Sequence, residues 1–258
     1  MRIASFNING IKARAAVIER WLDESAPDIA VLQEIKSSDE SFPRDLIERR
    51  GYQLETHGQK GFNGVAILSK HRLTDIRRGL PGDDSDTQAR WIEARTEAGL
   101  HVCGLYLPNG NPAPGPKFDY KLAWMERLHR HLKTLLTEER PLIVAGDYNV
   151  IPQPHDAARP EAWTDDALFR PESRAALRRI EGLGLYDAIR LRHPHGPGPF
   201  TFWDYQAAAR ARNDGIRIDH LLLSPQAADR LQDAWVEDAP RDWEKPSDHT
   251  PVWVRLAD

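Results

Sequence analysis

Three apolar runs follow one another between residues 64 and 107, at Gly64–Leu68, Trp91–Arg95 and Val102–Leu107, with no helical pattern between them. Each is short, rich in branched or aromatic residues and bounded by turn formers, the signature of a buried strand. Further runs of this kind occur at Arg2–Phe6, Asp28–Gln33, Leu142–Ala145, Ile216–Leu223 and Pro251–Leu256, and helical segments separate some of them. Strict βαβ alternation is thereby excluded, because it requires a crossover helix after every strand. The order predicts an α/β fold of mixed sheets with helices outside. Ile11, Ile18 and Leu22 share the face of a first helix. A longer one is expected from Lys117 to Glu139, with Phe118, Leu122, Met125, Leu128, Leu132 and Leu135 as its apolar stripe. Glu126 and Arg130 stand four apart on it, in the order that favours an exposed ion pair.

The 258 residues suffice for one large domain with a substantial core. Pro- and Gly-rich stretches at 108–116 and 194–199 are each followed by patterned sequence. They read as surface loops, and one domain over 1–258 is expected. No apolar run approaches the roughly 20 residues of a membrane span. The N-terminal MRIASFNING reads as a strand rather than a signal peptide. A single cysteine, Cys103, rules out an internal disulfide and makes the cytoplasm the expected compartment. The net charge of −4 argues weakly against nucleic acid, unless basic residues gather on one face. Arg72, Arg77 and Arg78, or Arg210, Arg212 and Arg217, are the candidates for such a face.

Polar residues concentrate where the apolar runs stop. Asn7 and Asn9 follow IASF, Gln33 and Glu34 follow IAVL, and Tyr106 and Asn109 lie in GLYLPNG. Asp147 and Asn149 follow PLIVAG, Asp219 lies in GIRIDHLLLS, and Asp248 and His249 lie in KPSDHTPVW. Taken singly, each has a plain structural reading as a turn residue, a helix cap or a packed histidine. Holding at every position together, that reading is hard to sustain, because rigid strand ends are a common way to build a site.

The motifs FNINGIKAR, LQEIK, HGQKGFNGVAIL, RGLPGDD, GLYLPNG, GDYNVIP, TFWDY, GIRIDHLLLS and EKPSDHTPVW appear in one order along the chain. This ordered set resembles the exonuclease III family of AP endonucleases, bacterial type, within the DNase I-like endonuclease/exonuclease/phosphatase superfamily. The resemblance implies a four-layer α/β sandwich, two mixed β-sheets face to face flanked by helices. It implies a Mg²⁺- or Mn²⁺-dependent monomer that hydrolyses the phosphodiester 5′ of abasic sites in duplex DNA, with 3′→5′ exonuclease and 3′-end-cleaning activity. Carried over by position, it assigns catalysis to Tyr106, Asp147, Asn149, Asp219 and His249. It assigns the metal to Asn7, Glu34, Asp147, Asn149, Asp248 and His249. It places an apolar substrate pocket at Phe202, Ile216 and Ile218. Two positions depart from the pattern: Asn9 stands where eukaryotic relatives carry a carboxylate, and Gln206 where an arginine is frequent. Residues 155–199 match least, and nothing is carried over there.

These residue types suit phosphodiester hydrolysis, which needs an activated water, in-line geometry and positive charge for the leaving oxygen. Carboxylates such as Glu34 and Asp248 suit Mg²⁺, which takes oxygen ligands. Asp147 is the candidate for orienting or deprotonating the water, and Asn149 for holding the phosphate or that water. Asp219 would fix the tautomer of His249 and favour its protonated form. Two alternatives stay open: a superfamily relative acting on other phosphodiesters or as a nonspecific nuclease, and an inactive binding scaffold. The motifs RGLPGDD, TFWDY and EKPSDH speak against the first, and the complete set of site residues against the second.

Overall fold

The computed structural model describes residues 1–257. Among them are two six-stranded sheets. The first contains β1 (Arg2–Asn7), β2 (Ile29–Gln33), β3 (Gln53–His57), β4 (Val65–Ser69), β11 (Leu231–Val236) and β12 (Val252–Leu256), in the order β11-β12-β1-β2-β4-β3. The second contains β5 (Leu73–Arg78), β6 (Trp91–Thr96), β7 (His101–Tyr106), β8 (Leu142–Asp147), β9 (Tyr186–Asp187) and β10 (Asp219–Leu223), in the order β5-β6-β7-β8-β10-β9. Helices α1 (Ala15–Glu24) and α2 (Arg44–Glu48) cover the outer face of the first sheet. Helices α3 (Pro116–Leu136) and α4 (Pro171–Glu181) cover that of the second. Two short helices, α5 (Ala188–Arg192) and α6 (Pro225–Ala228), flank β10.

Strand periodicity produces these layers. Successive side chains of a strand point to opposite faces. In β1 and β2, Ile3, Ile29 and Val31 enter the core between the sheets, while Ala4, Phe6, Ala30 and Leu32 pack beneath Ile18, Trp21 and Leu22 of α1. In the second sheet Val102, Ile143 and Ala145 face inward, while Cys103, Leu105 and Val144 pack under Trp124, Leu128 and Leu132 of α3. The outcome is the four-layer α/β sandwich with mixed sheets.

Four strands carry no long apolar run and are not evident in the sequence: β3, β5, β9 and β11. All four lie at sheet edges, and β9 has only two residues. The run Ile216–Leu223 becomes regular strand only from Asp219, and Ile216 makes isolated bridges to Ala157 and Phe202 instead. Glu126 does not serve the expected partner within α3, because Arg179 of α4 approaches it to 2.8 Å. Arg217 cannot belong to a basic surface. It is buried, with Nε 2.7 Å from Asp156 and Nη1 2.6 Å from Asp187. Arg210 likewise faces Asp242 and Asp238, and Arg78 faces Glu55. No helix among the described residues is long and apolar enough to cross a membrane.

Candidate active site

Strand direction brings the polar strand ends together. β1 runs parallel to β2, and β7 parallel to β8, so Asn7, Glu34, Tyr106 and Asp147 emerge at one end of the sandwich. β12 is antiparallel to β1 and β10 antiparallel to β8, so it is their beginnings that reach this end. That delivers Asp248 and His249 ahead of β12 and places Asp219 directly opposite Asp147. Gly146 permits the packing at this point, since a Cβ there would lie 2.0 Å from the Leu105 carbonyl oxygen.

Backbone geometry at the site is unusual. Asn9, Glu34, Lys36 and Asn149 all have φ between 48° and 51°. Side chains other than glycine visit this region at a cost, and such residues collect at functional sites. Glu34 takes up this bend as β2 ends, while its carbonyl still accepts the Gly10 N–H at 2.7 Å. The Asn149 N–H donates to Asp147 Oδ1 at 2.9 Å, closing a turn that fixes one carboxylate oxygen.

Asn7 is the hub. Its Nδ2 donates to Glu34 Oε1 at 2.9 Å and to Asp147 Oδ2 at 3.0 Å, joining the two sheets through one amide. His249 Nδ1 lies 2.8 Å from Asp219 Oδ2, and its Nε2 lies 3.7 Å from Asp147 Oδ2. Thr201 Oγ1 donates to the same Asp219 oxygen at 2.6 Å. The other oxygen, Asp219 Oδ1, is buried without a hydrogen-bond partner. Glu34, Asp147 and His249 each offer a ligand atom within 4.8 Å of the others. Asp248 stands outside this trio and accepts from Asn9 Nδ2 at 3.1 Å. The Asn149 side chain donates to the Leu107 carbonyl and accepts from Asn109 Nδ2 at 3.3 Å.

The electrostatics follow from this crowding. Burial opposes charge on His249, but the adjacent Asp219, with Asp147 and Asp248 beyond it, raises its pKa to about 10. Burial pushes Asp147 up to about 7; protonated His249 opposes that rise, while Asp219 and Glu34 add to it. Glu34 is held below its usual range: burial acts against this, and the Asn7 amide and Lys36 outweigh it. The Tyr106 hydroxyl is held well above its ordinary value, by burial first and then by the charges of Glu34 and Asp147.

Phe202 packs its edge against His249, with ring centroids 5.0 Å apart. Its backbone exchanges two 3.0 Å hydrogen bonds with Ile216. A cavity of about 340 Å³ opens on the other side, lined by Phe202, Ile216, Trp163, Asp204 and Arg212 among others. Ile218 is almost fully buried and joins the apolar cluster behind Ile216 rather than the wall of this cavity.

A family profile for the endonuclease/exonuclease/phosphatase family matches residues 4–249. The chain belongs to this family. Among its members, exodeoxyribonuclease III of Haemophilus influenzae is 38% identical, over 99% of this chain and all of its own length. An AP endonuclease from Archaeoglobus fulgidus superposes with a TM-score of 0.96 at 36% identity, over the whole of both chains. A Neisseria 3′ phosphatase, solved with a product DNA hairpin, superposes with a TM-score of 0.97 at 35% identity, again over both whole chains. The endonuclease/exonuclease/phosphatase fold thus extends over the full described length.

Sequence reasoning passed over several residues that complete this site. Thr201 ties Asp219 and also accepts the Ile218 and Asp219 N–H groups. Ser247 donates to the Asn7 carbonyl at 2.7 Å. Lys36 pairs with Glu34 at 2.9 Å and donates to Asn9 Oδ1. Tyr205 accepts from Arg14 at 2.8 Å. All four lie inside the quoted motifs, which was the available signal. Asn9 suits its place because an amide can accept from Lys36 and donate to Asp248 together, which a carboxylate cannot.

Proposed function

We propose that this chain is a metal-dependent DNA-repair phosphodiesterase, a nuclease that hydrolyses the phosphodiester 5′ of abasic sites in duplex DNA. It would also remove nucleotides and blocking groups from 3′ ends. The observation that carries the reading is the buried Asp147–His249–Asp219 relay meeting Glu34 at one sheet end. The relatives, an exodeoxyribonuclease III, an AP endonuclease and a DNA 3′ phosphatase, support DNA as the substrate. In this reading the protein works as a single-domain cytoplasmic monomer.

The donor chemistry fits a hard divalent cation. Two carboxylates, Glu34 and Asp147, crowd into one site together with an amide; burial first, and then the charges of Asp219 and Glu34, raise the Asp147 pKa, and a cation would offset both. Mg²⁺ or Mn²⁺ would be held by Glu34 with Asn7 and Asp147 beside it, and by Asp248 across Asn9. When bound, it supplies positive charge for the phosphate and the departing 3′-oxygen.

The chain's own groups do the rest. Asp147, fixed by the Asn149 N–H and Asn7 Nδ2, orients the attacking water and takes its proton. Burial raises the Asp147 pKa and a bound cation would lower it again, keeping the carboxylate ionised to accept that proton. His249 stays protonated and donates from Nε2 to a non-bridging phosphate oxygen, while Asp219 fixes its tautomer through Nδ1. Tyr106 keeps its hydroxyl proton and offers a further donor. Asn149 holds the phosphate side of the site through its amide. Phe202, backed by Ile216 and Ile218, forms an apolar wall beside His249. That wall suits a sugar without a base, which leaves the helix at lower stacking cost than an intact nucleotide.

The deciding assay compares matched duplexes with an internal abasic site, a recessed 3′ end and a 3′-phosphate, with and without Mg²⁺. Incision of the abasic duplex only with metal is the expected result. Failure to cleave all three would overturn the nuclease reading.

A further inference from the structure

On the far side of the second sheet from the sheet–sheet core, four metal-binding side chains meet beneath α3. β6 and β7 pair with Glu93 opposite Cys103 and Arg95 opposite His101, so Glu93, His101 and Cys103 share one face. His131 descends onto them from α3. The four are 3%, 5%, 0% and 8% exposed, in the order Glu93, His101, Cys103, His131. Glu93 Oε2 lies 2.8 Å from His131 Nε2, 3.8 Å from His101 Nε2 and 3.8 Å from Cys103 Sγ. The ligand atoms of Glu93, His101 and Cys103 all lie within 4.8 Å of one another.

We propose that Glu93, His101, Cys103 and His131 form a second, buried metal site for a zinc-class divalent ion, separate from the phosphodiesterase centre. Two imidazoles, a thiolate and a carboxylate are the ligand types of four-coordinate zinc. With bonds of about 2.0–2.3 Å, tetrahedral ligand atoms stand roughly 3.3–3.8 Å apart. Two of the observed separations already have that size. The shorter His131–Glu93 contact is a hydrogen bond; it opens on binding, when the Nε2 proton leaves to solvent, which returns one to Nδ1 so that the ring ligates neutral. The carboxylate and thiolate together neutralise a dication, and the Cys103 thiol proton leaves to solvent on binding. Mg²⁺ does not suit this set, because it prefers oxygen ligands and water. The other oxygen of Glu93, Oε1, meets the exposed Arg77 side chain at 3.5 Å. The site would fasten α3 to the sheet whose strands β7 and β8 carry Tyr106 and Asp147.

Cobalt(II) is a suitable probe. The full chain, stripped of metal, is titrated with Co²⁺ and followed by absorption. Cys103 is the only cysteine, so a thiolate-to-cobalt charge-transfer band can come from nowhere else. The expected result is that band, with strong tetrahedral visible absorption, saturating at one equivalent and abolished by one equivalent of Zn²⁺. Cys103→Ser should lose the charge-transfer band, His131→Gln should weaken binding by more than the roughly tenfold that loss of a mere outer-shell partner costs, and Glu34→Gln should retain both signals. Zn²⁺ should raise the Tm of the wild-type chain but not of Cys103→Ser. A wild-type chain that binds Co²⁺ without the sulfur band overturns the proposal, and this result needs no variant to fold. Persistence of the band in Cys103→Ser overturns it equally.

Discussion

Asp147 and Asp219 stand directly opposite each other across the β8–β10 ladder, and the ring of His249 bridges them. Facing like charges in a sheet destabilise it, and protonated His249 between them offsets that repulsion. The two carboxylates divide the ring between them. Asp219 holds one nitrogen, and the other points toward Asp147.

Removing Asp147 or His249 from this relay should therefore abolish chemistry. Asp147→Asn and His249→Asn are each expected to slow single-turnover incision by ~10²–10⁴-fold, the usual contribution of a general acid or base. Thermal melts run alongside should move by only a few degrees for Asp147→Asn, and further for His249→Asn, which leaves Asp147 and Asp219 facing each other without the imidazolium. A near wild-type rate in either variant removes that residue from the mechanism.

Metal dependence has two independent readouts. EDTA should abolish cleavage, and Mg²⁺ or Mn²⁺ should restore it. Mg²⁺ should also raise the Tm of the wild-type chain, since a ligand bound only by the folded state stabilises it, and that rise should disappear in Glu34→Gln. Full activity after dialysis into EDTA would remove the metal from the proposal.

The pH profile should be bell-shaped, because activity needs Asp147 ionised and His249 protonated. The acid limb belongs to the pair and, with the cation bound, should lie below the value of about 7 that Asp147 has in the metal-free chain; the alkaline limb lies near 10. For stability the sign is clear. The folded His249 pKa is raised above its ordinary 6.5, so its stabilising contribution is complete below that value and is lost as pH rises through about 10. Melts of the metal-free chain between about pH 7 and just above 10 should show this loss, and His249→Asn should flatten it. An unchanged slope in that variant would contradict the assignment.

Phe202→Ala should change the ratio of abasic incision to digestion of an intact recessed 3′ end, because the ring borders both His249 and the neighbouring cavity. Equal loss of both activities with a lowered Tm would make Phe202 a packing residue only.

Binding of an abasic duplex, measured in Ca²⁺ to slow cleavage, should weaken steeply with salt despite the net charge of −4. Many of the arginines are already paired with carboxylates, so the slope measures how much free positive charge reaches the phosphates. A flat profile would argue against DNA as the substrate.

The sequence revealed most of this site because strand ends are fixed by strand pattern. Apolar runs such as IASF and PLIVAG announce where a buried strand stops, and the next polar residue marks the sheet end. Edge strands gave no such signal. β5 alternates Leu73 and Ile76 with exposed charge, and β11 carries Gln232 and Asp233. The burial of Arg217 was invisible because its partners Asp156 and Asp187 lie 61 and 30 residues away. The hydrogen bond of Thr201 to Asp219 depends on a loop closing against β10, which no local propensity encodes. Asn9, Glu34 and Asn149 were legible as chemistry, but their left-handed backbone was not.

That left-handed backbone sets limits on how this sequence can drift. At Glu34 and Asn149 the conformation favours glycine or asparagine, whereas the proposed chemistry needs a carboxylate at Glu34. Glu34→Gly would relax a strain of about 1 kcal/mol, but it would give up the contacts of the carboxylate with Asn7 and Lys36 together with the proposed metal. At this one position the backbone prefers a residue without a side chain, while the neighbouring amide and ammonium hold a carboxylate in place.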